Sequence, residues 1–363
     1  MNHTNLKILA PVNCAAEVKK IVQAGAEELY CGVMPHVWRE RYSNVASMNR
    51  REWKVSNIAD LDEFRRVIEM SHEVGARVYM TMNALYTEGQ YGMVLETIER
   101  AMVMGVDAFI VADIGLLVTL RERGLRPELH MSTGGTTFNT ATARFYRSLG
   151  VTRIIVPRHI TIAEAADLAA RDPDLHFELF GLNRGCKNID GFCTFHHGVN
   201  EVRLGRIWDI PKKMNLDQKM LNWMRRLPRR VAEPLARARL FGSVGACFLG
   251  YDVTTATERE RSAELVDVAT RNVRDTFNLL TGIDTCGACR IGDMAAAGIH
   301  SIKIVGRENL TPKKVQDTRF LDQARSYFAV QPAGDHRRHE PEIRRIYKDV
   351  YGFDCGRRCY YPD

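Results

Sequence analysis

The sequence has no apolar run long enough to cross a membrane. Its longest apolar stretch, residues 108–120, is interrupted by Asp113 and falls short of the roughly 18 uninterrupted residues that a spanning helix needs. The first twelve residues contain one lysine and lack the apolar core and small-residue cleavage site of an export signal. These absences predict a cytoplasmic protein without a membrane span.

Compositional bias is also missing. The 363 residues are 45% hydrophobic and 26% charged, which excludes a disordered, collagenous or coiled-coil chain and fits one large α/β barrel or two ordinary domains. Nine cysteines, an odd number, in a long chain without an export signal argue against a disulfide framework. Metal or redox chemistry is the better interpretation of these thiols.

Eight short β-type patterns alternate with amphipathic helical patterns along the chain. The strands are predicted at residues 6–11, 28–33, 77–83, 107–113, 128–133, 153–158, 176–182 and 301–306. Eight β/α units most simply close into an α/β, TIM-type (β/α)8 barrel, whose chemistry lies at the C-terminal strand ends. The alternative is an open doubly wound sheet, but the first turn, PVNCAAE, lacks the G-x-G-x-x-G fingerprint of dinucleotide binding.

Five glycines each follow a predicted helix and precede a strand, where a left-handed residue is wanted. They are Gly25, Gly75, Gly105, Gly124 and Gly150. Helices are predicted, among others, at residues 15–24, 60–74, 93–104, 140–149 and 162–170. The connection between strands seven and eight is about a hundred residues longer than a βα unit needs. We therefore expect a barrel of residues 1–182 and 286–328, a large inserted helical lobe over its mouth at 183–285, and a C-terminal tail at 329–363.

The net charge of +7 is concentrated in the predicted lobe, because residues 202–242 hold eleven Lys or Arg against three acidic residues. Interleaved Trp208 and Trp223 are typical of RNA binding. Apolar residues also recur at helical spacing, at Met220, Trp223, Met224 and Leu227. That spacing favours an amphipathic helical lid whose solvent-exposed face carries Arg225, Arg226, Arg229 and Arg230.

Four cysteines lie beside the predicted insertion. They are Cys186, Cys193, Cys247 and Cys286, each with a glycine one or two residues away. Four thiolates from one region can hold a tetrahedral zinc ion or an iron–sulfur cluster, and the alternative is that they are buried core residues. Two further cysteines, Cys14 and Cys31, are predicted to be structural.

The remaining cysteines give weaker signals. Cys286 and Cys289 form a C-x-x-C pair that is typical of a zinc half-site or a redox pair, but no second pair of a zinc ribbon is evident. Cys355 and Cys359 are spaced C-x3-C in the tail. They allow a second site, although a reduced, solvent-facing pair is favoured.

At these cysteines the sequence resembles the collagenase-like peptidase family U32, several of whose members are iron–sulfur, oxygen-independent hydroxylases. The family pattern of Glu-x-Phe, a Cys, six residues and a second Cys preceded by Gly is matched by Glu178, Phe180, Cys186, Gly191 and Cys193. Its later K-I-x-G-R marker begins here at Lys303, with Cys286 seventeen residues earlier. The separation of Cys247 from Cys286 is similar to that in the ubiquinone-biosynthesis branch.

The resemblance implies a barrel with a [4Fe-4S] cluster on Cys186, Cys193, Cys247 and Cys286. It also implies an oxygen-independent hydroxylase of an aromatic or quinone-like small molecule, with a prephenate-like oxygen donor and a paralogous partner subunit. The chain departs from the family at several strand ends, namely Gly134, His159, Val305 and Asn183, the last of which stands where the family pattern has glycine. The substrate is therefore expected to differ from those of characterised members.

Polar residues at the predicted strand ends define a candidate pocket. Catalytic roles are predicted for Arg158, His159, Glu178 and Arg307, and substrate contacts for Asn83, His130, Ser132 and Asn139. The two arginines can clamp a carboxylate, and His159 titrates near neutral pH. The alternative for Glu178 and Arg307 is a mutual salt bridge on neighbouring strands.

Two other activities stay open. The sequence has neither H-E-x-x-H nor G-x-S-x-G, so a U32-type peptidase would depend on Ser132 and His130, which face the same side of one strand. Those two are more typical of ligand contacts. Hydroxylation of a tRNA or rRNA base is the other alternative, disfavoured because RNA-modifying family members carry additional C-terminal domains.

Overall fold

The computed structural model describes residues 6–42, 48–51, 56–58, 60–183, 185, 190–191, 285–331, 336–356 and 359–361. Nearly all of the predicted lobe, including Cys186, Cys193, Cys247 and the basic segment 202–242, lies outside the described residues.

The eight predicted strands form a closed parallel barrel in chain order. They are β1 (Lys7–Pro11), β2 (Glu28–Cys31), β3 (Arg77–Met82), β4 (Ala108–Val111), β5 (Leu129–Met131), β6 (Val151–Ile155), β7 (His176–Leu182) and β8 (Ser301–Ile304). Strand β1 pairs with β2 on one side and with β8 on the other. This closure confirms the (β/α)8 prediction and rules out the open sheet.

Helices surround the strands. They are α1 (Ala15–Gln23), α2 (His36–Arg41), α3 (Leu61–Glu73), α4 (Glu88–Val103), α5 (Ile114–Glu122), α6 (Thr140–Ser148), α7 (Ile162–Arg171), α8 (Ile291–Ala296), α9 (Thr311–Ala329) and α10 (Glu340–Tyr351). Their ends follow local chemistry: the Asp60 carboxylate accepts the backbone N–H of Glu63 at the start of α3. All five predicted helix-ending glycines have positive φ, from 72° to 113°. In the described part of the chain, none of these helices is long and apolar enough to cross a membrane.

The predicted tail is packed onto the barrel. Helix α10 lies against α9, which itself packs on α1 and β1 and so completes the outer ring. The Phe320 ring of α9 meets the edges of Tyr347 and Tyr351 of α10, with ring centroids 5.2 and 5.5 Å apart. The end of the chain is thereby directed back toward β7.

Candidate functional site at the barrel mouth

A cluster of four charged side chains fills the barrel interior. Arg153 of β6 donates from both terminal nitrogens to the two carboxylate oxygens of Glu28 on β2, each at 2.8 Å. On the other side Glu178 of β7 accepts from Lys303 of β8 at 2.9 Å and from Arg153 at 3.4 Å. Two carboxylates and two cations cancel in charge, which is the condition under which such groups can be buried.

The acidity of Glu28 shows how tightly this cluster is coupled. Burial alone would raise the pKa of Glu28, but its bonds to Arg153 and the positive charge of that residue lower it to about 2. The hydroxyls of Tyr79 and Ser301 donate to the same carboxylate at 2.8 and 2.9 Å. Glu28 is therefore a fixed anion in the folded protein.

Glu178, a predicted catalytic residue, belongs to this interior cluster. The alternative expected for it, a salt bridge with Arg307, is wrong, since Glu178 pairs with Lys303 and Arg153. Burial lowers the pKa of Lys303, and the neighbouring Glu178 opposes that change. The Lys303 ammonium also lies 4.3 Å from the centre of the Tyr30 ring. These contacts give Glu178 a structural role, and its catalytic role stays a prediction.

His130 is directed away from the mouth. Its Nε2 is 2.9 Å from the carboxylate of Glu128, which precedes β5, and its ring meets Tyr79 edge-on. Burial lowers the pKa of this imidazole. Ser132 instead accepts a hydrogen bond from Asn83 at 3.2 Å. The candidate nucleophile and base of a peptidase, both of them described residues, are not hydrogen-bonded to each other.

Asn83 and Ser132 do meet at the mouth, where β3 and β5 end. The Asn83 Oδ1 atom is buried and has no hydrogen-bond partner among the described residues. Such an acceptor can receive a donor from a bound ligand. Asn139, the other predicted substrate contact, is exposed and caps α6, where its Oδ1 accepts the N–H of Thr142 at 2.9 Å.

Arg307 is held in a polar socket beyond the end of β8. Its guanidinium donates to Thr81 Oγ1 at 2.8 Å and to the Asn49 side chain at 3.1 Å. Burial lowers the pKa of Arg307 to about 10. A Cβ at Gly32 would lie only 1.9 Å from Arg307 Nη1, so the socket requires glycine there. Sequence reasoning missed Thr81 and Asn49, because neither carries a motif.

Arg158 is fixed by Asp190, which lies between Cys186 and Cys193 in the sequence. One carboxylate oxygen of Asp190 accepts from Arg158 Nη1 at 2.6 Å, and the other accepts the Arg158 backbone N–H at 2.8 Å. The guanidinium stacks 3.7 Å from the centre of the Phe180 ring. The sequence analysis gave Asp190 no role in the site. The one sequence feature that could have identified it is its position as an acidic residue between Cys186 and Cys193.

The neighbours of Asp190 complete this side of the mouth. Gly191 has φ 85°, and a Cβ there would meet Thr136 at 2.1 Å, so the segment lies directly on the turn after β5. His159 is exposed. Partial desolvation lowers its pKa, Asp190 opposes that effect, and Arg158 adds to it. His159 thus stays within reach of solvent protons beside an ordered ion pair.

Asn183 ends β7 in the left-handed region, with φ 65°. The family pattern has glycine here, and Asn is one of the few other residues that adopt this conformation readily. Its side-chain amide donates to the Val305 carbonyl at 3.0 Å and to Asp317 at 2.8 Å. The departure from the family therefore links β7 to the connection after β8 and to α9.

Tyr360 and Tyr361, in the tail, cover the end of β7. The Tyr361 hydroxyl lies 3.1 Å from both the backbone nitrogen and the carbonyl oxygen of Phe180. The Tyr360 hydroxyl donates to the carbonyl of Asn183, and its ring stacks on Phe180 at 5.9 Å between centroids. The tail therefore forms part of the mouth, which the sequence analysis did not anticipate.

Cys286 is the one predicted metal ligand among the described residues. Its backbone bridges to Leu182 at the end of β7 and to Cys359 of the tail. The backbone N–H of Ala288 donates to Cys286 Sγ at 3.4 Å. Across the described ranges, no three His, Cys, Asp or Glu side chains are already arranged to hold one metal ion. Cys31 is fully buried, in agreement with its predicted structural role.

Comparison with known proteins identifies the family of this chain. The family model described as peptidase family U32 matches residues 14–205, more than half of the chain. The tRNA hydroxylation protein P of Haemophilus influenzae is 22% identical over 308 residues, covering 83% of this chain and 63% of that protein.

Two other relatives match a shorter part. The 23S rRNA 5-hydroxycytidine C2501 synthase of Escherichia coli is 27% identical over 194 residues, 53% of this chain and 26% of that protein. A collagenase of Porphyromonas gingivalis is 21% identical over 202 residues, 53% of this chain and 45% of that protein. The chain thus spans less than two thirds of the length of these relatives.

Proposed function

This chain belongs to peptidase family U32, and from that premise we propose that it is an oxygen-independent hydroxylase of an aromatic ring, dependent on a [4Fe-4S] cluster. The observation that carries the proposal is the arrangement at β5. Ser132 bonds to Asn83 and His130 to Glu128, so the described mouth offers ligand contacts in place of an activated serine. A relative that matches 83% of this chain is named for tRNA hydroxylation.

The predicted ligands of the cluster are Cys186, Cys193, Cys247 and Cys286. The first three lie outside the described residues. Cys286 fits a thiolate ligand, because its sulfur is partly buried beside the mouth and accepts a backbone N–H; such hydrogen bonds tune the sulfur ligands of iron–sulfur clusters. When bound, a [4Fe-4S] cluster would supply electron transfer at the mouth.

The chain's own residues would bind and orient the reactants. Hydroxylation replaces a ring C–H by C–OH, a two-electron oxidation, and the oxygen donor is reduced by the same two electrons as it releases the oxygen atom. Arg158, whose orientation Asp190 fixes, is suited to the carboxylate of a prephenate-like donor. Asn83 Oδ1 would accept a hydrogen bond from the substrate, and His159 would exchange a proton with solvent.

The proposed substrate is an aromatic or quinone-like small molecule. Tyr360 and Phe180 stack beside Arg158, and such a group of rings and a guanidinium suits a planar ring of similar size. Tyr360 and Tyr361 of the tail pack against the end of β7, on the same side of the mouth as Arg158. The paralogous partner subunit stays a prediction.

A base in RNA is the second candidate, and the names of the relatives favour it. Binding to RNA through the basic segment would weaken steeply as salt rises, since several phosphate contacts release counterions. Salt-sensitive binding of bulk tRNA or rRNA that disappears when Arg225, Arg226, Arg229 and Arg230 are changed to Ala would favour RNA over a small molecule.

The main test is metabolite profiling of a deletion strain grown without oxygen. The strain is complemented with the wild-type protein, Cys186→Ala, Arg158→Ala or the exposed control Lys19→Ala. We expect one hydroxylated metabolite to be absent from the deletion strain and from the strains that carry Cys186→Ala or Arg158→Ala. The wild-type protein and Lys19→Ala should both restore it. If the metabolites are unchanged and the pure, iron-free protein cleaves peptides, the chain is a peptidase and not a hydroxylase.

A further inference from the structure

Arg50 is a cation at the barrel mouth that has no partner in the described part of the chain. It lies between α2 and α3 and is partly buried. No other described residue forms a hydrogen bond or an ion pair with its guanidinium, whose nitrogens stay open to solvent. Nη1 of Arg50 is 3.4 Å from the place that a Cβ would take at Gly134, in the turn after β5. A partly desolvated guanidinium attracts an anion more strongly than one in bulk water.

Contacts on the two preceding residues hold Arg50 in place. Arg307 donates to the Asn49 carbonyl at 3.2 Å and to the Asn49 side-chain oxygen at 3.1 Å. The Tyr86 hydroxyl donates to the Met48 carbonyl at 2.6 Å. Arg50 itself has φ 60°, in the left-handed region that favours glycine. Because such strain persists only where surrounding contacts enforce it, and is concentrated at functional sites, it points to a role for this side chain.

Gly134 leaves the space into which Arg50 reaches. A Cβ at residue 134 would lie 2.9 Å from the Cβ of Ala112, which is closer than such atoms pack, and a longer side chain would compete with Arg50 for the same volume. Gly134 is also one of the positions at which the chain departs from the family pattern. The departure and the cation beside it are therefore two parts of one feature of this chain.

An unpaired acceptor lies on the same turn. Ser132, two residues before Gly134, accepts a hydrogen bond from Asn83 at 3.2 Å. The Oδ1 atom of Asn83 is buried and lacks a hydrogen-bond partner within the described ranges, so it needs a donor from a ligand. A carboxylate for Arg50 and a hydroxyl group for Asn83 are the two ligand groups that satisfy this pair.

Arg158 borders the other side of this turn. A Cβ at Gly191 would be 3.1 Å from the Gly134 carbonyl oxygen. Asp190, the residue before Gly191, forms the ion pair with Arg158 at 2.6 Å. The charge of Arg158 is thus already compensated, whereas that of Arg50 has no counterion among the described residues. The mouth therefore offers two arginines in different surroundings, one for each reactant of the proposed reaction.

We propose that Arg50 binds the carboxylate of the molecule that is hydroxylated, and that a hydroxyl group of the same molecule donates to Asn83 Oδ1. The planar guanidinium can bind a carboxylate through two parallel hydrogen bonds. The substrate class is then narrowed from any aromatic or quinone-like molecule to an aromatic hydroxy acid. That class rests on the proposed function, while the anion site itself rests only on the geometry of Arg50, Gly134 and Asn83.

The test is isothermal titration calorimetry of the full-length protein, purified without oxygen, with three probes. They are meta-hydroxybenzoate, benzoate, which lacks the hydroxyl group, and meta-hydroxybenzyl alcohol, which lacks the carboxylate. The wild-type protein should bind meta-hydroxybenzoate more tightly than the alcohol by about tenfold or more, as expected for hydrogen bonds between charged groups. Arg50→Gly should abolish that preference. Arg50→Lys should keep part of it, since lysine retains the charge and loses the two-point geometry.

Two variants control for folding and for the second contact. Glycine adopts φ 60° readily, so Arg50→Gly removes the guanidinium without adding backbone strain. Arg65→Ala, at an exposed arginine of α3, is the matched control and should bind all three probes as the wild-type protein does. Asn83→Ala should weaken binding of meta-hydroxybenzoate and leave that of benzoate unchanged.

Each contrary result has a distinct meaning. Wild-type protein that binds neither acid, or binds meta-hydroxybenzoate no more tightly than the alcohol, overturns the proposal. Wild-type affinity for the acids in Arg50→Gly also overturns it. If Arg50→Gly instead loses binding of bulk tRNA or rRNA and keeps that of the acids, Arg50 is a phosphate contact and the proposal is wrong.

The anion site and the proposed function can fail separately. If Arg50→Gly loses acid binding and the deletion strain shows no missing hydroxylated metabolite, the anion site stands and the hydroxylase does not. If Arg50→Gly restores the metabolite that Cys186→Ala and Arg158→Ala cannot restore, the hydroxylase stands and the role given to Arg50 is wrong.

Discussion

Glu28 and Arg153 face each other across the full width of the barrel, and their side chains meet in a two-point ion pair with both N–O distances at 2.8 Å. Strands β2 and β6 are on opposite sides of the eight-stranded ring. The pair therefore ties together strands that share no backbone hydrogen bonds. Since both side chains are almost fully buried, neither can be hydrated if the other is removed.

Removal of one partner should therefore be costly. We expect Glu28→Gln or Arg153→Met to lower the free energy of unfolding by about 3–5 kcal/mol, because a buried charge is left without its counterion. The double variant should lose less than the sum of the two. Urea unfolding followed by circular dichroism measures these values. Glu96→Gln, at an exposed ion pair 3.8 Å long, is the control and should change stability by less than about 0.5 kcal/mol. Additive losses in the double variant would contradict coupling between the two residues.

The same pair predicts how stability depends on pH. The pKa of Glu28 falls from 4.5 to about 2 on folding, so the unfolded chain binds the proton more readily than the folded protein. The contribution of this carboxylate is then complete above pH 4.5 and is lost as pH falls from there through about 2. Urea unfolding between pH 6 and 3 should show a shallower loss of stability in Glu28→Gln than in the wild-type protein. Parallel curves for the two proteins would show that the pKa of Glu28 is not depressed.

The barrel was predictable because its signals are local. Each strand has a run of β-type residues, and each of five helices ends at a glycine that the structure places at positive φ. Strand ends were less certain: the strand expected at 153–158 is β6 at Val151–Ile155, since the chain leaves the sheet before Pro157. Proline cannot donate to a ladder hydrogen bond, and this shifted end was readable from the sequence.

The site was less predictable, because its residues meet only through closure of the barrel. Residue type identified Arg158 and Arg307 as candidates, but their partners Asp190 and Thr81 carry no motif and come from distant segments. Glu178 and His130 were assigned to the mouth from their strands alone. An inward-facing side chain meets the interior charges or the barrel mouth according to how far it lies from the C-terminal end of its strand. The alternation of residues in the sequence predicts which side chains face inward, but it does not specify that distance.

Gly32 should be essential for the position of Arg307. A Cβ at residue 32 would overlap Arg307 Nη1 and crowd Asn49 and Asn57, so Gly32→Ala should lower the free energy of unfolding by about 1–3 kcal/mol through overpacking. It should also abolish the proposed hydroxylation. Gly92→Ala in α4 is the control: a Cβ there meets nothing within 4 Å, and alanine in a helix should be neutral or stabilising by up to about 1 kcal/mol. Wild-type stability and activity in Gly32→Ala would show that Arg307 has room to move.

Asn183 allows the left-handed backbone at the end of β7 to be separated from the hydrogen bonds of its side chain. Asn183→Gly and Asn183→Ala both remove the bonds to Val305 and Asp317, which costs about 1–3 kcal/mol when a buried partner is left unsatisfied. Only alanine adds the strain of φ 65°, about 1–2 kcal/mol for a residue with a Cβ. The glycine variant should therefore be less stable than the wild-type protein and more stable than the alanine variant by about 1 kcal/mol, as measured by urea unfolding. If the two variants are equally stable, the backbone at residue 183 is not held in the left-handed region, and the departure from the family's glycine needs another explanation.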